Sequence, residues 1–341
     1  MFPKLLACAA GVILIVNTAS AFDWNDPRAV VEAALAASPS LREIAAQLAA
    51  ARARERGAGT LPNPMLMAGV QNQQIDLSRD PMMTMYMAGA SQTFVRRERR
   101  ESLQRAAAFE AQRFEREAES RRAEIRRDVL VAYDEAAAAE NQIAANEEIA
   151  QLANTTADAA RARYEVGTSP QIDIIRAKLE ASNVRHQVLM QRSVRDAALA
   201  RLRALLNLAP DATIPSFALP HAMEQHAHAQ QVAFDASTPA IAAMEAEVAR
   251  AEEEIRLAKL TTKPDFTVEA SYGFRPEQKD MFSVVGRMEL PIRKKTIEPR
   301  IAEAVARRDA SRAQIDMLRQ QLASEFGAAL ALRNEAIEQI N

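Results

Sequence analysis

The sequence predicts a mainly α-helical fold with a small β part, in which very long coiled-coil helices accompany four short strands. Three observations lead to this fold class: an internal repeat, a long run without Gly or Pro, and paired segments of alternating polarity. Gly occurs only 9 times and aromatic residues make up 5% of the chain, whereas Ala, Arg, Glu and Leu dominate. This composition is typical of long helices and argues against two ordinary globular domains.

The internal repeat is the most restrictive of the three observations. The Ser-Pro pair at 38–39 is echoed by the Thr-Pro pair at 238–239, and Pro64 by Pro264, in each case 200 residues later. Each pair of markers brackets a short helical stretch, followed by two alternating segments and a long run rich in Ala, Arg and Glu. A repeat of this kind limits the possible folds more than any single motif does.

The helical segments follow from caps and helix breakers. Residues 28–57 are predicted to be helical, with Asp26 as the cap and Pro27 in the first turn. From Ala90 to Glu165 the chain contains neither Gly nor Pro. One helix over most of that run would be on the order of 100 Å long, and its apolar residues recur amid Arg and Glu as in a coiled coil.

The long run ends in the sequence YEVGTSP at 164–170, which predicts a tight turn between two helices. Gly167 suits the left-handed conformation of a helix C-cap. Ser169 is expected to cap the next helix, with Pro170 at its first position. A returning helix from Gln171 to about residue 207 would then complete a helical hairpin with a tight tip.

The alternating segments predict two pairs of strands. In 266–274, Phe, Val, Ala and Tyr side chains alternate with Thr, Glu and Ser, and 282–290 shows the same period of two. In the first copy, the methionines of Met83–Met87 share one face. One apolar and one polar face over about 9 to 11 residues suits a tilted membrane-spanning strand, although a half-buried soluble hairpin would show the same pattern.

The N-terminus is expected to be a secretory signal peptide over residues 1–21. An apolar run, Leu5–Val16, precedes an Ala-Ser-Ala cleavage site at 19–21, so that Phe22 would begin the mature chain. A membrane anchor is the alternative, but the run is short for a bilayer. Cys8 lies in the removed segment and before most of the apolar run, which argues against lipidation and leaves no thiol in the mature chain.

The domain organisation follows from the repeat. We expect a first helix-strand-strand-helix-helix repeat over 22–207, a connector rich in Pro and His over 208–237, and a second repeat over 238–341. The second repeat reaches Asn341 partway along its long helix, so its returning helix and tip are expected to be missing.

The order of these elements, together with several local sequences, resembles the TolC-like outer-membrane efflux family. The similar segments are LPNP at 61–64 before the first strand, Gln92 near the end of the second, the R-x-x-Y-x-x-G sequence at 161–167, and ALLN at 204–207. The resemblance covers essentially the whole mature chain. At 94–97, FVRR stands where the family has an apolar turn with Pro and Gly.

The resemblance implies a fold, a location and partners. Three protomers would form a homotrimer in which each contributes four strands to a twelve-stranded transmembrane β-barrel, while the helices form a periplasmic α-barrel. The protein would lie in the outer membrane, in contact with its lipid, and extend into the periplasm. It would act as a passive channel of a tripartite exporter, with a periplasmic adaptor (a membrane fusion protein) and an inner-membrane pump of the resistance-nodulation-division type, and without a cofactor.

The resemblance also implies roles for residues near the tip. The tip would contact the adaptor through four residues, and an aspartate six residues after the glycine stands where the family links its gate. The expected gate partners would lie in the second tip, beyond Asn341. The adaptor-contact residues are Tyr164, Val166, Gly167 and Thr168, and the gate-linking residue is Asp173.

Composition and motifs exclude several other functions. The formal net charge of -2 offers no basic excess for nucleic acid. No phosphate-binding loop or paired nucleophile and base stands out, and the acidic residues are spaced as helix-surface partners of Arg, so we expect no enzymatic activity. The competing structural hypothesis is a periplasmic coiled-coil adaptor or scaffold without a pore, which would have one helical hairpin rather than two strand pairs that each precede a helix.

Two groups of residues suggest metal ions as cargo and favour the heavy-metal branch of the family. Imidazole and thioether ligands suit copper, silver or zinc, but a flexible connector with incidental histidines and a methionine stripe that faces lipid or packs the barrel explain the same residues. The first group is His221, Met223, His226 and His228; the second is Met65, Met67, Met82, Met83, Met85 and Met87.

Overall fold

The computed structural model confirms the predicted fold class: long helices and one small sheet. It describes residues 23–72, 83–215, 217, 237–276, 278–292 and 294–340. The elements in chain order are α1 Pro27–Ala37, α2 Pro39–Ala58, β1 Met65–Gln71, β2 Met85–Phe94, α3 Arg97–Glu165, α4 Gln171–Leu205, α5 Pro239–Leu260, β3 Phe266–Phe274, β4 Met281–Met288 and α6 Lys294–Ile340.

The predicted single helix over 28–57 is wrong, because the chain breaks into α1 and α2 at Ser38. Pro39 lacks an N–H and restricts the residue before it, so Ser38 is extended with ψ of 119°. The Ser38 hydroxyl then accepts a hydrogen bond from the Leu41 N–H at 3.3 Å. In the second copy, the Thr238 hydroxyl accepts from the Ile241 N–H at 3.4 Å. The repeated Ser/Thr-Pro marker is therefore a helix cap followed by proline at the first helical position.

The long uninterrupted helix is present as α3, which has 69 residues. It begins at Arg97, because residues 90–94 of the Gly- and Pro-free run belong to β2. Helix α4 returns over 35 residues. None of the described helices combines enough length with enough apolar character to cross a membrane.

The strands form one antiparallel sheet in the order β1-β2-β3-β4. Residues 266–274 form β3 as predicted, and β4 runs over Met281–Met288, close to the predicted 282–290. Pairing of β2 with β3, for example Tyr86 with Phe274 and Phe94 with Phe266, joins the strands of the first copy to those of the second. Two hairpins that would be marginal alone thus share one sheet.

The described chain divides into two compact units, each containing segments of α3. Unit 1 comprises residues 1–41 and 121–230. Its core lies around Tyr133, which is fully buried and whose ring stacks on Phe217 at 4.4 Å. The Tyr133 hydroxyl donates to the Trp24 carbonyl at 2.9 Å. Phe217, in the predicted connector, is therefore part of a core.

Unit 2 comprises residues 42–120 and 231–341 and holds the sheet. Its helices pack through small residues and ion pairs rather than through a large core. Ala51 of α2 packs against Ala111 and Phe114 of α3. Arg312 of α6 pairs with Glu252 of α5 at 2.8 Å. The repeat boundaries at 207 and 237 remain a prediction.

Candidate functional site

One face of the sheet is apolar and exposed. The register places alternate residues of all four strands on this face, including aromatic side chains near both ends of the strands. Nine residues of β3 span about 30 Å at 3.3 Å per residue, enough for a tilted strand to cross an apolar band of about 25 Å. The large exposed side chains of the face are Leu66, Val70, Tyr86, Phe94, Phe266, Tyr272, Phe274, Phe282, Val284 and Met288.

The opposite face of the sheet is polar. Thr93 and Thr267 are linked through their hydroxyls at 2.9 Å. Glu269 is 7% exposed and forms an ion pair with Arg287, Oε2 to Nη2 at 2.6 Å. The predicted alternation of Phe, Val and Tyr against Thr, Glu and Ser is confirmed, and the sheet has the two-faced character of a wall between lipid and an aqueous lumen.

The methionines of β1 and β2 lie on the polar face, whereas Met288 of β4 lies on the apolar face. Met85 and Met87 alternate with exposed Tyr86 and share the side of β2 that carries Ser91. Of the two structural explanations, a stripe that faces lipid is wrong for Met85 and Met87, because the register of β2 with β3 aligns them with the Glu269 side. A stripe that packs the barrel stays a prediction. Met83 precedes the strand, and Met82 lies outside the described residues.

Polar contacts fix the point where the strands meet the helices. The Gln92 amide donates to the Pro62 carbonyl at 2.9 Å and so ties β2 to the segment before β1. Asp265 accepts from the Arg96 N–H at 3.0 Å and forms an ion pair with Arg99 at 2.7 Å. The arginine-containing turn that departs from the family pattern thus holds the start of α3 against the start of β3.

The tip between α3 and α4 is a Schellman turn. Gly167 adopts φ of +75°, its N–H donates to the Tyr164 carbonyl at 2.9 Å, and the Thr168 N–H donates to the Arg163 carbonyl at 2.9 Å. The Thr168 hydroxyl donates to the same carbonyl at 2.9 Å. The predicted left-handed glycine is confirmed, since a side chain with a Cβ adopts this conformation only at a cost.

The predicted cap of α4 is wrong. Pro170 itself occupies the cap position, and no side chain caps the helix. The Ser169 hydroxyl is buried and makes no hydrogen bond within the described part of the chain. Asp173 lies in the first turn of α4, where the helix dipole favours a negative charge.

The tip exposes apolar surface near Asp173, which is itself half-buried. Val166 is 74% exposed and Tyr164 44% exposed. On α4, Ile172 and Ile175 are also exposed large apolar side chains. Exposed apolar residues beside hydrogen-bonded turn residues are suited to contact with another protein.

The predicted histidine cluster, His221, Met223, His226 and His228, lies outside the described residues. Within 23–72, 83–215 and the other described ranges, no group of three or more His, Cys, Asp or Glu side chains could hold a metal ion.

Sequence reasoning missed two features of the sheet. Met281 faces the same side as Met85, although it does not belong to the methionine stripe predicted from the first copy. The available signal was its even spacing from Ser283 and Arg287, which places all three on one face of β4. The pairing of Glu269 with Arg287 had no local signal, because it depends on the register between β3 and β4.

Comparisons with known proteins agree with this architecture. Residues 30–208 match the family described as outer membrane efflux protein. No curated protein matches significantly. Among solved structures, CusC superposes with a TM-score of 0.76 at 18% identity, covering 94% of this chain and 78% of that chain.

Two further solved structures are similar. The outer membrane protein VceC from Vibrio cholerae has a TM-score of 0.72 at 20% identity, with 90% of this chain and 79% of that chain covered. The outer-membrane channel OprN has a TM-score of 0.71 at 17% identity, with 93% and 76% covered. These likenesses show a shared fold. The location predicted from the sequence resemblance, the outer membrane with extension into the periplasm, is confirmed. Since the family match covers more than half of the 341 residues, the chain belongs to the outer membrane efflux protein family.

Proposed function

We propose that this protein is a passive outer-membrane channel of a tripartite exporter, without enzymatic activity of its own. The observation that carries this function is the two-faced sheet, with large apolar side chains on one face and Ser, Thr, Glu and Arg on the other. In a membrane barrel, the apolar face contacts lipid and the polar face lines the lumen.

The edges of the sheet support assembly into a homotrimer. Strands β1 and β4 are its two outer strands. In lipid, each unpaired backbone group costs several kcal/mol, so a four-stranded sheet needs partners on both sides. Pairing β4 of one protomer with β1 of the next would close three copies into a barrel of twelve strands, as the family resemblance implies.

The exposed surface of the tip supports the proposal that the protein binds a periplasmic partner. Val166 and Tyr164 present exposed apolar surface around a turn whose shape Gly167 fixes. A complementary tip of an adaptor hairpin would bury these residues, and an inner-membrane pump, of the resistance-nodulation-division type by family resemblance, would drive transport. Asp173, at the start of α4, is proposed to link the gate.

Detergent-extracted protein tests the channel directly. We expect heat-modifiable trimers in the outer-membrane fraction, and discrete conductance steps when these trimers enter a planar bilayer. A monomer that stays soluble without detergent and gives no conductance would contradict the channel and favour the periplasmic scaffold. The two strand pairs, each followed by a long helix, favour the channel.

The adaptor contact is tested by substitutions at the tip. Proline cannot reach φ of +75°, so Gly167→Pro would distort the turn, while trimers assembled through the strands remain. We expect site-specific crosslinking to the adaptor to be lost. Val166→Asp should also weaken crosslinking to the adaptor. Thr156→Asp, at an exposed position of α3 before the tip, serves as the control. Unimpaired crosslinking in both tip variants would refute the assignment.

A further inference from the structure

We propose that the polar face of the sheet carries a thioether site for a soft monovalent metal ion, Cu(I) or Ag(I), formed by Met85, Met87 and Met281 above Gly273. The site rests on the proposed channel function, because it would line the lumen only if the polar face does so. It lies toward the end of the sheet where the two hairpin loops connect the strands.

The register brings the three methionines around one glycine. Gly273 of β3 is paired with Met87 of β2 on one side and with Met281 of β4 on the other. Neighbouring strands lie about 4.8 Å apart, so the two methionines flank the glycine at about 10 Å from each other. Their side chains are unbranched and have three rotatable bonds, which allows both sulfurs to reach the space above Gly273.

The third methionine already occupies that space. A Cβ built on Gly273 would lie 2.3 Å from the Met85 sulfur and 3.0 Å from its Cγ. Gly273 does not have the positive φ that would demand glycine for backbone reasons. The absence of a side chain at Gly273 thus leaves the space that the Met85 thioether occupies, and a Cβ there would displace that thioether.

The ligand set decides the class of ion. Thioethers are soft, neutral ligands that select Cu(I) and its analogue Ag(I), whereas zinc and harder ions prefer imidazole, thiolate or carboxylate. The carboxylates of β3 and of the loop before β4 are engaged elsewhere: Glu269 pairs with Arg287, and Asp280 accepts from the Tyr272 hydroxyl. A site of neutral ligands on an open face would hold the ion weakly, as passage through a lumen requires.

If these methionines served only to pack the sheet, their apolar volume would matter and their sulfur atoms would not. A metal site needs the sulfur atoms, and this difference allows a test. In the triple variant Met85→Leu, Met87→Leu and Met281→Leu, apolar volume is kept and the sulfurs are removed. The matched control replaces three methionines away from the site: Met65→Leu, at the other end of the polar face, with Met244→Leu and Met317→Leu in the helices of unit 2.

The experiment measures silver binding by equilibrium dialysis of purified full-length trimers in detergent, without chloride or thiols. We expect the triple site variant to lose about tenfold or more in Ag⁺ affinity and the control to retain it. Gly273→Ala, whose methyl group would push Met85 away, should show a similar loss. Equal silver binding by the parent and the site variant, or an equal loss in the control, would overturn the site.

Conductance of the same preparations separates this site from the channel function. Conductance is measured on the parent, and silver binding on the parent and the site variant, so that each proposal has its own readout. A parent that binds silver through these methionines but forms no channel would refute the channel and leave the metal site standing. If the parent conducts and the three substitutions leave silver binding unchanged, the metal site is refuted and the channel function is not.

Discussion

Arg105 of α3 and Glu253 of α5 form a salt bridge through two hydrogen bonds, Nε to Oε1 at 3.0 Å and Nη2 to Oε2 at 3.2 Å. Glu253 is only 6% exposed, although it is charged. Arg105 also donates to the buried Ser102 hydroxyl at 3.0 Å. This contact joins a helix of the first repeat to one of the second, with a shielded Glu253 side chain and an Arg105 side chain that is 41% exposed.

Removing this arginine should destabilise unit 2 more than removing an exposed one. Arg105→Met keeps the aliphatic stem but leaves Glu253 buried, with Arg256, at 3.2 Å, as its remaining ion-pair partner among the residues that the structure describes. We expect a loss of about 2 kcal/mol, below the usual cost of breaking a buried pair because Arg256 compensates in part. The control Arg319→Met breaks an exposed pair with Glu245 and should cost less than about 0.5 kcal/mol. Equal shifts of the two variants in thermal unfolding by circular dichroism would contradict this ranking.

Two glycine substitutions should change the free energy of unfolding in opposite directions. Gly167→Ala places a Cβ in the left-handed region and is expected to cost about 1 kcal/mol. Gly327 lies within α6 with open space around it, so Gly327→Ala is expected to stabilise by up to about 1 kcal/mol. Apparent melting temperatures of the two variants should move in opposite directions. Stabilisation by Gly167→Ala would show that the tip does not hold Gly167 in this conformation, and destabilisation by Gly327→Ala would contradict the expectation for α6.

Features with a local physical cause could be predicted from the sequence. The left-handed Gly167 follows from the end of a helix, and the faces of β3 follow from a period of two. The break at Ser38 also had a local signal in Pro39, but helical periodicity on both sides concealed it.

Features that depend on distant partners could not be predicted in this way. The site around Gly273 needs the register of three strands, and that register is set by residues almost 200 positions apart. The side of the sheet on which Met85 lies follows only from the alignment of β2 with Ser and Glu side chains of β3. Phe217 likewise could not be assigned to the core around Tyr133, since nothing in the surrounding Pro- and His-rich segment indicates its partner.

The ion pair on the polar face should influence ion selectivity. Glu269→Gln keeps the shape of the side chain but leaves the positive charge of Arg287 without its partner at 2.6 Å. Repeated in each protomer of a trimer, this change would make the lumen more positive and shift the reversal potential toward anion selectivity. Ser271→Ala, on the same face and without a charge change, is the control. An unchanged reversal potential in Glu269→Gln would mean that this face does not line the conducting path.

The hydroxyl of Tyr133 should stabilise unit 1 in a manner that depends on pH. Tyr133→Phe leaves the Trp24 carbonyl without its hydrogen bond at 2.9 Å, and we expect a loss of about 1 kcal/mol at neutral pH. Tyr164→Phe, at an exposed position, should cost close to nothing. The measurement is the apparent melting temperature of the parent and each variant.

The pH dependence follows from the direction of the pKa shift. Burial, and secondarily the charge of Asp134, raises the pKa of Tyr133 above its ordinary value. The folded state therefore keeps this proton at a pH where the unfolded chain releases it, so the stabilisation is complete below the ordinary pKa of about 10 and falls as pH rises through the raised pKa. The difference between the parent and Tyr133→Phe should thus be constant from about pH 7 to about pH 9 and shrink above about pH 10. A difference that stays constant or grows in alkaline solution would contradict a buried, neutral Tyr133.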